Sequence, residues 1–412
     1  MAEKSLTTNV FLSISKSTLG EQAGTELLDA IKPKISEKPS LILLYATNDV
    51  LEQYKLLKKL YFGLDKVLIV GGTVDGIMTS EGYIDSGVAA LVIESPFIFA
   101  GGAYDEGLST EGITVGLHAA IVAWQKMQKN IILALPTYIS HPELLISKGS
   151  PVVSLVFGAA TPNVPQEDLY KSIIYLSNYT PLIGAVIDTK KSNSFLYFND
   201  KLLSNSIIVI YLFLLSNLGI GVGIDHGYDL TGKYAVITRA SGEAVFELDG
   251  IRAIDKIAEL YETNTKDISA NLEFYRTYRP LGIPTIDGFL EPRKIERIGN
   301  NGEIYISGKV PSWSVVHILS PKNILKGTER SIQYASRIFE EKSPSFGLVF
   351  NSVHRKTIIK ENIEREGEII SRYLKDMPYI GVYSEGQICY FGEGTSVYHT
   401  NTVVSAIVGK TD

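Results

Sequence analysis

The sequence contains a single cysteine, Cys389, among its 412 residues. One cysteine excludes an intrachain disulfide, and chains without disulfides are typical of reducing compartments. The N-terminal sequence M-A-E-K-S-L-T-T-N also lacks the basic segment and the apolar core of a secretory signal peptide. We therefore expect the protein to be cytoplasmic.

Basic clusters are scarce as well. Lysine and arginine never occur in runs longer than two, the formal net charge is −6 and the isoelectric point is near 5.7. A surface that binds nucleic acid needs clustered positive charge to contact phosphates. The charge pattern therefore excludes nucleic acid as an expected partner.

The sequence carries none of the short motifs that mark common enzymes. G-x-S-x-G, H-E-x-x-H and the P-loop are missing, and histidine does not cluster with cysteine. The stretch G-I-G-V-G-I is not followed by a helical pattern, so it does not fit the dinucleotide-binding fingerprint. No cofactor and no metal ion are expected from these patterns.

One uncharged stretch, Leu202–Ile224, is long enough to cross a bilayer as a helix. Its composition argues against a helix, because it is rich in isoleucine, valine and glycine, which are poorer helix formers than leucine or alanine. We predict two buried strands joined by a turn at Ser216–Gly219, and no insertion into a membrane.

One pattern occurs three times in the sequence. An apolar, strand-like segment contains a glycine near its end, and an acidic residue follows that glycine four positions later. The three pairs are Gly71 with Asp75, Gly184 with Asp188, and Gly381 with Glu385. The copy at Gly184 is the faintest of the three.

The elements around these pairs also repeat. Residues 10–95 and 315–408 both read as β-α-β-α-β followed by returning strands, and residues 151–215 hold a partial third copy. We predict a mixed α/β (α+β) protein built from duplicated β-α-β-α-β-β units, with mixed sheets flanked by helices. The duplication predicts that Gly71 and Gly381 occupy equivalent positions in their sheets.

The acids of the repeated pattern allow two interpretations. Asp75-Gly76 and Glu385-Gly386 fit tight turns, which need no function. Alternatively, equivalent strand ends of a repeat fold face one cleft, because ligands of α/β sheets bind at the carboxyl ends of strands. Carboxylates in such a cleft can bind a cation, an amine or a sugar hydroxyl.

The predicted ligand-binding residues lie at these strand ends or border other apolar runs. Those near the repeated glycines are Thr73, Asp75, Asp188, Tyr383, Ser384 and Glu385. Those that border other apolar runs are His399, expected at the wall of the cleft, His226 and Arg355. Because a buried carboxylate is costly unless it is paired, the acids should lie at the surface or at a ligand.

An enzymatic alternative rests on His399. It follows Cys389 by ten residues on a neighbouring predicted strand, and a thiolate paired with histidine is a nucleophile pattern. A cysteine inside the apolar run I-C-Y-F is also typical of a packed core. The alternatives are therefore a hydrolase or transferase that uses His399 with Glu385 or Cys389, and an interaction scaffold that binds no ligand.

Several motifs of the chain resemble those of the FIST family, a sensory module of bacterial and archaeal signal transduction. V-G-G-T-V-D-G resembles its G-C-S-T-x-G, H-G-Y-D-L-T-G resembles H-G-W-x-P-x-G, and V-F-E-L-D-G-I-R-A resembles x-x-E-L-D-G-x-P-A. G-V-Y-S-E-G-Q-I followed by H-T-N-T resembles G-F-Y-S-Y-G-E-I followed by H-N-Q-T. The motifs occur in the family's order along nearly the whole chain.

The chain departs from the family pattern at the family's thiols. No cysteine lies near Gly72, and Ser352 stands where a cysteine before an arginine is frequent. Tyr228 replaces a tryptophan. A thiol role is therefore not expected in this chain.

The resemblance implies an N-terminal-type domain over residues 1–240 and a C-terminal-type domain over residues 241–412. It also implies a sensory protein that binds a small polar molecule, with amino acids as one class. The sequence shows no fused kinase, methyl-accepting or nucleotide-cyclase segment, so we expect the signal to pass through a partner protein.

Overall fold

The computed structural model describes residues 7–139, 152–161, 164–215, 218–285, 288–310, 312–339, 344–391 and 396–410. These residues form three similar units and one inserted segment. Each unit builds a sheet around one pair of parallel strands, and its helices connect the strands along the chain. The predicted fold class, mixed α/β with repeated units, is confirmed.

The first two units run without interruption. The first contains β1 (Asn9–Ser15), α1 (Gly20–Ile31), β2 (Leu41–Thr47), α2 (Gln53–Gly63), β3 (Ile69–Val74), β4 (Ile77–Thr79), β5 (Gly82–Ile84) and β6 (Val88–Glu94). The second contains β7 (Ile98–Glu106), α3 (Leu108–Glu111), α4 (Ile113–Ile139), β8 (Val152–Ala159), α5 (Gln166–Leu176), β9 (Leu182–Ile187), β10 (Leu196–Phe198), β11 (Lys201–Leu203) and β12 (Ser206–Leu214).

The third unit is divided by an insert, residues 229–320. The unit opens with β13 (Leu218–Asp225). The insert contains β14 (Asp229–Ser241), β15 (Ala244–Leu248), β16 (Ile251–Arg252), α6 (Ala253–Tyr261), α7 (Thr265–Ala270), α8 (Leu272–Tyr278), β17 (Leu281–Pro284), β18 (Leu290–Arg293), β19 (Ile295–Ile298), β20 (Ile304–Ile306) and β21 (Val315–Ser320). The unit then continues with α9 (Ile324–Ser336), β22 (Pro344–Ser352), α10 (Val353–Ile359), α11 (Ile363–Leu374), β23 (Tyr379–Ser384), β24 (Gly386–Tyr390), β25 (Tyr398–His399) and β26 (Val403–Lys410).

Each unit lends a hairpin to the sheet of another unit. The first unit's sheet, in the order β1-β6-β2-β3-β10-β11, takes its last two strands from the second unit. The second unit's sheet, β7-β12-β8-β9-β24-β25, takes a hairpin from the third, and the third unit's sheet, β13-β26-β22-β23-β4-β5, takes one from the first. The exchange is cyclic, so every hairpin covers a strand edge that another unit would leave unpaired.

The repeated glycines occupy equivalent positions. Each is the third residue of β3, β9 or β23, and each lies opposite a residue of the parallel neighbouring strand. The pairs are Gly71 with Leu44, Gly184 with Val156, and Gly381 with Val349. The predicted equivalence of Gly71 and Gly381 is confirmed. The copy around Gly184, predicted to be partial, has all the strands of a complete unit.

One predicted boundary of the repeat is wrong. Val315–Ser320 forms β21, which pairs with β14 and β17 inside the insert and does not open the third unit. The opening strand is β13, which pairs with β26 as β1 pairs with β6. Because the insert separates β13 from the rest of its unit, a comparison along the sequence misses the start of this copy.

The three sheets share one apolar core. Tyr45, Phe157 and Phe350 each follow the residue that lies opposite a repeated glycine, and the ring centroid of Phe157 is 6.1 Å from each of the other two. The insert has a separate core that includes Ile257 and Ile304. The continuous apolar sequence of β2, β8 and β22 therefore reflects strands that are buried on both faces.

The uncharged stretch Leu202–Ile224 contributes strands, as predicted. Most of it forms β12 and β13, which belong to the sheets of two different units. Ser216 and Asn217 of the predicted turn lie outside the described residues. Among the helices that the structure describes, none combines the length and the apolar character needed to cross a membrane.

Two of the repeated glycines should tolerate no side chain. A Cβ atom at Gly71, where φ is +147°, would lie 2.0 Å from the Leu44 carbonyl oxygen, and one at Gly184 would lie 1.8 Å from that of Val156. We expect Gly71→Ala and Gly184→Ala to lower the free energy of unfolding by about 3 kcal/mol or more, because backbone must move.

Gly381→Ala is the matched comparison. Its Cβ would meet the side chains of Val349 at 3.1 Å and Met78 at 3.2 Å. We expect a smaller loss, about 1 kcal/mol, in urea unfolding of the three variants. Equal losses of stability in all three variants would show that close approach of the neighbouring backbone is not the reason for glycine at positions 71 and 184.

Candidate functional site

The carboxyl ends of β3, β9 and β23 meet at one end of the three sheets. The backbone amide of Asp75 donates to the Tyr383 carbonyl at 3.1 Å, and the Tyr383 amide donates to the Gly76 carbonyl at 3.1 Å. The amide of Glu385 donates to the Val186 carbonyl at 3.1 Å. These bonds hold the segments that follow the three strands side by side.

A cavity of about 660 Å³ lies beside these strand ends, between the second unit and the insert. Its walls are the ends of β8 and β9, the start of α5, the β24–β25 hairpin, and β19 and β20 with the turn before β15. Half of the described residues that line it are charged: Glu167, Asp188, Glu243, Glu296, Glu385, Lys190, Arg276, Lys294 and Arg297. The structure thus brings two of the three predicted acids, Asp188 and Glu385, to one cavity.

A buried ion pair joins the insert to the third unit at this cavity. Lys294 is 5% exposed, and its Nζ lies 2.5 Å from Oε1 of Glu385 and 3.6 Å from Oε1 of Glu296. Burial alone would lower the pKa of Lys294, but Tyr398 and the two carboxylates outweigh it and raise the pKa. Burial likewise opposes ionisation of Glu385, but Lys294 lowers its pKa. Both groups are therefore charged at neutral pH.

The third acid of the pattern, Asp75, does not line the cavity. Its carboxylate accepts hydrogen bonds from Lys191 at 2.8 and 3.0 Å and from Asn48 at 3.0 Å. Its carbonyl accepts a hydrogen bond from Lys356. Asp75 therefore ties together loops of all three units.

The Thr73 side chain is hydrogen-bonded within the first unit's sheet and its helix α2. Its hydroxyl donates to Oε1 of Gln53 at 3.1 Å and lies 3.2 Å from the Tyr197 hydroxyl, and it is 1% exposed. Gln53 opens α2, and Tyr197 belongs to the hairpin that the second unit contributes. Thr73 therefore joins a helix start to the exchanged hairpin and is turned away from the cavity.

Arg355 and Tyr383 belong to a sealed network in the third unit. Arg355 and Glu366 are fully buried, with the guanidinium 3.1 Å from the carboxylate, and the Tyr383 hydroxyl donates to the other carboxylate oxygen at 2.5 Å. Arg355 also donates to Asn351 at 2.8 Å and to Thr328 at 2.6 Å. Since removal of one partner from a buried ion pair leaves a bare charge, this network stabilises the packing of α10 and α11 on the sheet.

Ser384 and His226 are also buried in local hydrogen bonds. The Ser384 hydroxyl donates to the Gly386 carbonyl at 3.0 Å. Nδ1 of His226 accepts a hydrogen bond from the Tyr228 amide at 2.9 Å, so the imidazole proton lies on Nε2. Burial lowers the pKa of His226, Asp225 opposes this effect and Arg355 adds to it, so that the pKa is about 4.

His399 contacts neither of the groups that the enzymatic alternative requires. Its Nδ1 lies 3.0 Å from Oε1 of Glu291, and its Nε2 lies 3.3 Å from the carbonyl oxygen of Cys389, not from the thiol. Burial opposes ionisation of Glu291, but Arg293 and His399 together lower its pKa. His399 thus lies beside the buried Glu291–Arg293 ion pair, between β18 and the β24–β25 hairpin.

The thiol of Cys389 is in the core. The residue is 4% exposed, and burial raises the pKa of the thiol to about 12. Because the thiolate is the nucleophilic form of cysteine, this position favours a packing role. In the part of the chain that the structure describes, no group of three His, Cys, Asp or Glu side chains is arranged to hold a metal ion.

The residues that the insert contributes to the cavity are absent from the site predicted from the sequence. They are Glu243, Lys294, Glu296 and Arg297. The available signal was R-K-I-E-R, in which four charges are packed around one isoleucine. Short strands β19 and β20 place part of this charge at the cavity wall.

Two family models match consecutive parts of the chain. The family model of the FIST N domain matches residues 40–251, and that of the FIST C domain matches residues 253–390. An uncharacterised protein of Methanocaldococcus jannaschii is 28% identical over 155 residues, which cover 35% of this chain and 29% of that protein. The match therefore spans less than a third of this relative.

Among solved structures, the crystal structure of cyanuric acid hydrolase from A. caulinodans aligns with 98% of this chain and 100% of its own. The sequence identity is 10% and the TM-score is 0.37. A TM-score this low does not establish a common fold.

Acid should destabilise the protein through His226. The unfolded imidazole has a pKa near 6.5 and the folded one near 4, so the unfolded chain binds more protons between these values. Stability should therefore fall as the pH drops through this window, by on the order of 3 kcal/mol in total for this residue. Unfolding by urea at several pH values measures the slope.

His226→Asn keeps an acceptor for the Tyr228 amide and removes the titration, so its slope should be flatter. His317→Asn, at a partly exposed position on β21, is the control and should keep the slope of the wild type. An unchanged slope in His226→Asn would contradict the assignment of a neutral, buried imidazole.

Native Cys389 should resist alkylation. With a pKa of about 12, its thiolate fraction is lower than that of an ordinary cysteine by a factor of about a thousand, and burial adds to this protection. We expect iodoacetamide to label the unfolded protein rapidly and the folded protein at least about a thousandfold more slowly. Rapid labelling of the folded protein would revive the nucleophile hypothesis.

Proposed function

The chain belongs to the FIST family, whose domains are sensory modules of signal transduction, and from this we propose that it binds a small polar molecule in the cavity beside Asp188 and Glu385. We further propose that the bound state is read by a separate signalling protein in the cytoplasm. The single observation that carries the proposal is the meeting of two repeated acids at one charged cavity.

The size and lining of the cavity support a small polar ligand. Its volume of about 660 Å³ is within the range of pockets that hold small molecules. The lining contains five acids and four bases, so a molecule with charged groups of its own can replace the water that solvates them. An amino acid carries both charges and is the class that we propose to test first.

The position of the cavity supports a role in signalling. Ion pairs between the insert and the units border it: Lys294 with Glu385 at 2.5 Å and Lys309 with Asp168 at 2.6 Å. A ligand held between these surfaces adds contacts across the same boundary. Such a ligand would stabilise one placement of the insert, and a partner protein that recognises this placement would read the signal.

Screening should identify a ligand and assign it to this cavity. We expect native mass spectrometry to detect a retained small molecule, and thermal-shift screening of amino acids, amines and sugars to find compounds that raise the melting temperature. Asp188→Asn and Glu385→Gln should weaken binding of such a compound by about tenfold or more, which is about 1.4 kcal/mol, because each removes a charge from the wall.

Two features make this test specific. Glu262→Gln removes an exposed carboxylate that pairs with Lys233 at 2.7 Å outside the cavity, so it should bind the compound like the wild type. Asp188 makes no side-chain ion pair within the described residues, so Asp188→Asn should fold even if Glu385→Gln is destabilised by loss of the Lys294 pair. Equal binding by the wild type, Asp188→Asn and Glu385→Gln would refute the proposed site.

A further inference from the structure

The charges of the cavity wall are unevenly paired. Lys294 forms an ion pair with Glu385 at 2.5 Å, and Lys309, at the rim of the cavity, forms one with Asp168 at 2.6 Å. Arg276 donates to the Ile295 carbonyl at 2.6 Å and lies 3.2 Å from Glu273. Lys294 and Lys309 therefore pair with acids outside the insert, and Lys294 also lies 3.6 Å from Glu296.

Glu243 is an acid of the insert that has no counter-ion among the described residues. Its carboxylate is half-buried, and within the described ranges it has no ion pair and no hydrogen bond. Burial raises the pKa of Glu243, and the neighbouring Glu296 raises it further. An unpaired, partly desolvated carboxylate is unfavourable for the folded protein unless something else binds there.

Strand register places Glu243 and Glu296 on either side of β20. Tyr305 on β20 pairs with Ala244, which follows Glu243, and also with Arg297, which follows Glu296. The guanidinium of Arg297 stacks over the Tyr305 ring, with its central carbon 3.2 Å from the ring centroid. Arg297 thus stacks on an aromatic ring, and among the described residues Lys294, at 3.6 Å, is the ion-pair partner of Glu296.

A tyrosine belongs to the opposite wall of the cavity. Tyr398 is 7% exposed, lines the cavity and stacks on Tyr170 with centroids 6.3 Å apart. In the part of the chain that the structure describes, its hydroxyl makes no hydrogen bond. Glu243 and Glu296 line the same cavity as Tyr398, together with the Lys294–Glu385 ion pair.

We infer that the ligand carries a primary ammonium group, and that Glu243 and Glu296 of the insert hold this group with the hydroxyl of Tyr398. The inference rests on the proposed function and adds the chemical class of the ligand. An ammonium ion supplies three donors and one positive charge. It therefore satisfies two carboxylates and one hydroxyl, while a carboxylate or a neutral sugar would leave the acids unpaired. Amines and amino acids share this chemistry.

The test compares compounds that differ only in the amine. L-Alanine with L-lactate and putrescine with butane-1,4-diol are matched pairs in which a hydroxyl replaces an amine. In calorimetric titrations, at least one amine should bind the wild type, and its hydroxyl counterpart should bind at least about tenfold more weakly. Binding of L-alanine alone would identify an amino-acid site, and binding of putrescine would identify an amine site.

Variants connect this preference to the named residues. Glu243→Gln, Glu296→Gln and Tyr398→Phe should each weaken the bound amine by about fivefold or more. Tyr398→Phe keeps the ring that stacks on Tyr170. Glu247→Gln is the control and should bind the amine like the wild type. Glu247 lies on β15, which begins directly after Glu243, and it pairs with Arg239 at 2.9 Å. Glu243→Gln should also raise the melting temperature of the free protein, since it removes an unpaired charge.

The outcomes separate the inference from the proposed function. If a compound without an amine binds, and Asp188→Asn weakens it while Glu243→Gln and Glu296→Gln do not, the cavity is the site but the ammonium assignment is wrong. If an amine binds and all of these variants bind it like the wild type, both are wrong. If no compound of either pair binds, the ammonium assignment is overturned, and the wider screen decides the proposed function.

Discussion

The hydrogen bonds between each unit and the hairpin of another unit are the interaction on which the rest of the structure depends. Without them β3, β9 and β23 would be open sheet edges, which pair readily with other chains. The cyclic exchange closes all three edges at once, so none of the units is a complete sheet by itself. It also fixes the positions of the three strand ends relative to one another. The charged cavity lies at this end of the molecule because the exchange brings the ends together.

The insert forms one side of the cavity, and the repeated units form the other side. It has its own apolar core, so its sheet keeps its shape independently of the packing of the three units. It meets the units through an apolar cluster around Leu319 and through polar contacts, among them Lys294 with Glu385, Glu291 with Ser396, and Thr277 with His354. Polar contacts of this kind depend on geometry and solvent more than apolar burial does. A boundary built from them is suited to respond to a charged molecule that binds within it.

Polar residues at the ends of the repeated strands fall into two physical classes. Tyr383, Thr73 and Ser384 are buried and hydrogen-bonded, which offsets the cost of removing them from water. Glu243 lacks such compensation within the described residues, Asp188 accepts a hydrogen bond from the Lys190 amide at 3.2 Å, and both line the cavity. Sequence position does not separate the classes, because strand residues alternate between faces and the partners come from distant segments. Tyr383 donates a hydrogen bond to Glu366 on α11, and Glu385 pairs with Lys294 of the insert.

The strands, the repeated glycines and the strand structure within Leu202–Ile224 follow from the sequence, because these depend on local apolar pattern and on backbone conformation. The glycine-to-acid spacing also located two residues of the cavity, Asp188 and Glu385. Only the tertiary structure decided that the hairpins are exchanged, that β13 opens the third unit, and that Lys294, Glu243 and Glu296 complete the cavity wall. Strand pairing between units and ion pairs at the cavity join residues that are about a hundred or more positions apart along the chain. No local pattern encodes which of many possible partners a strand edge or a buried charge will meet.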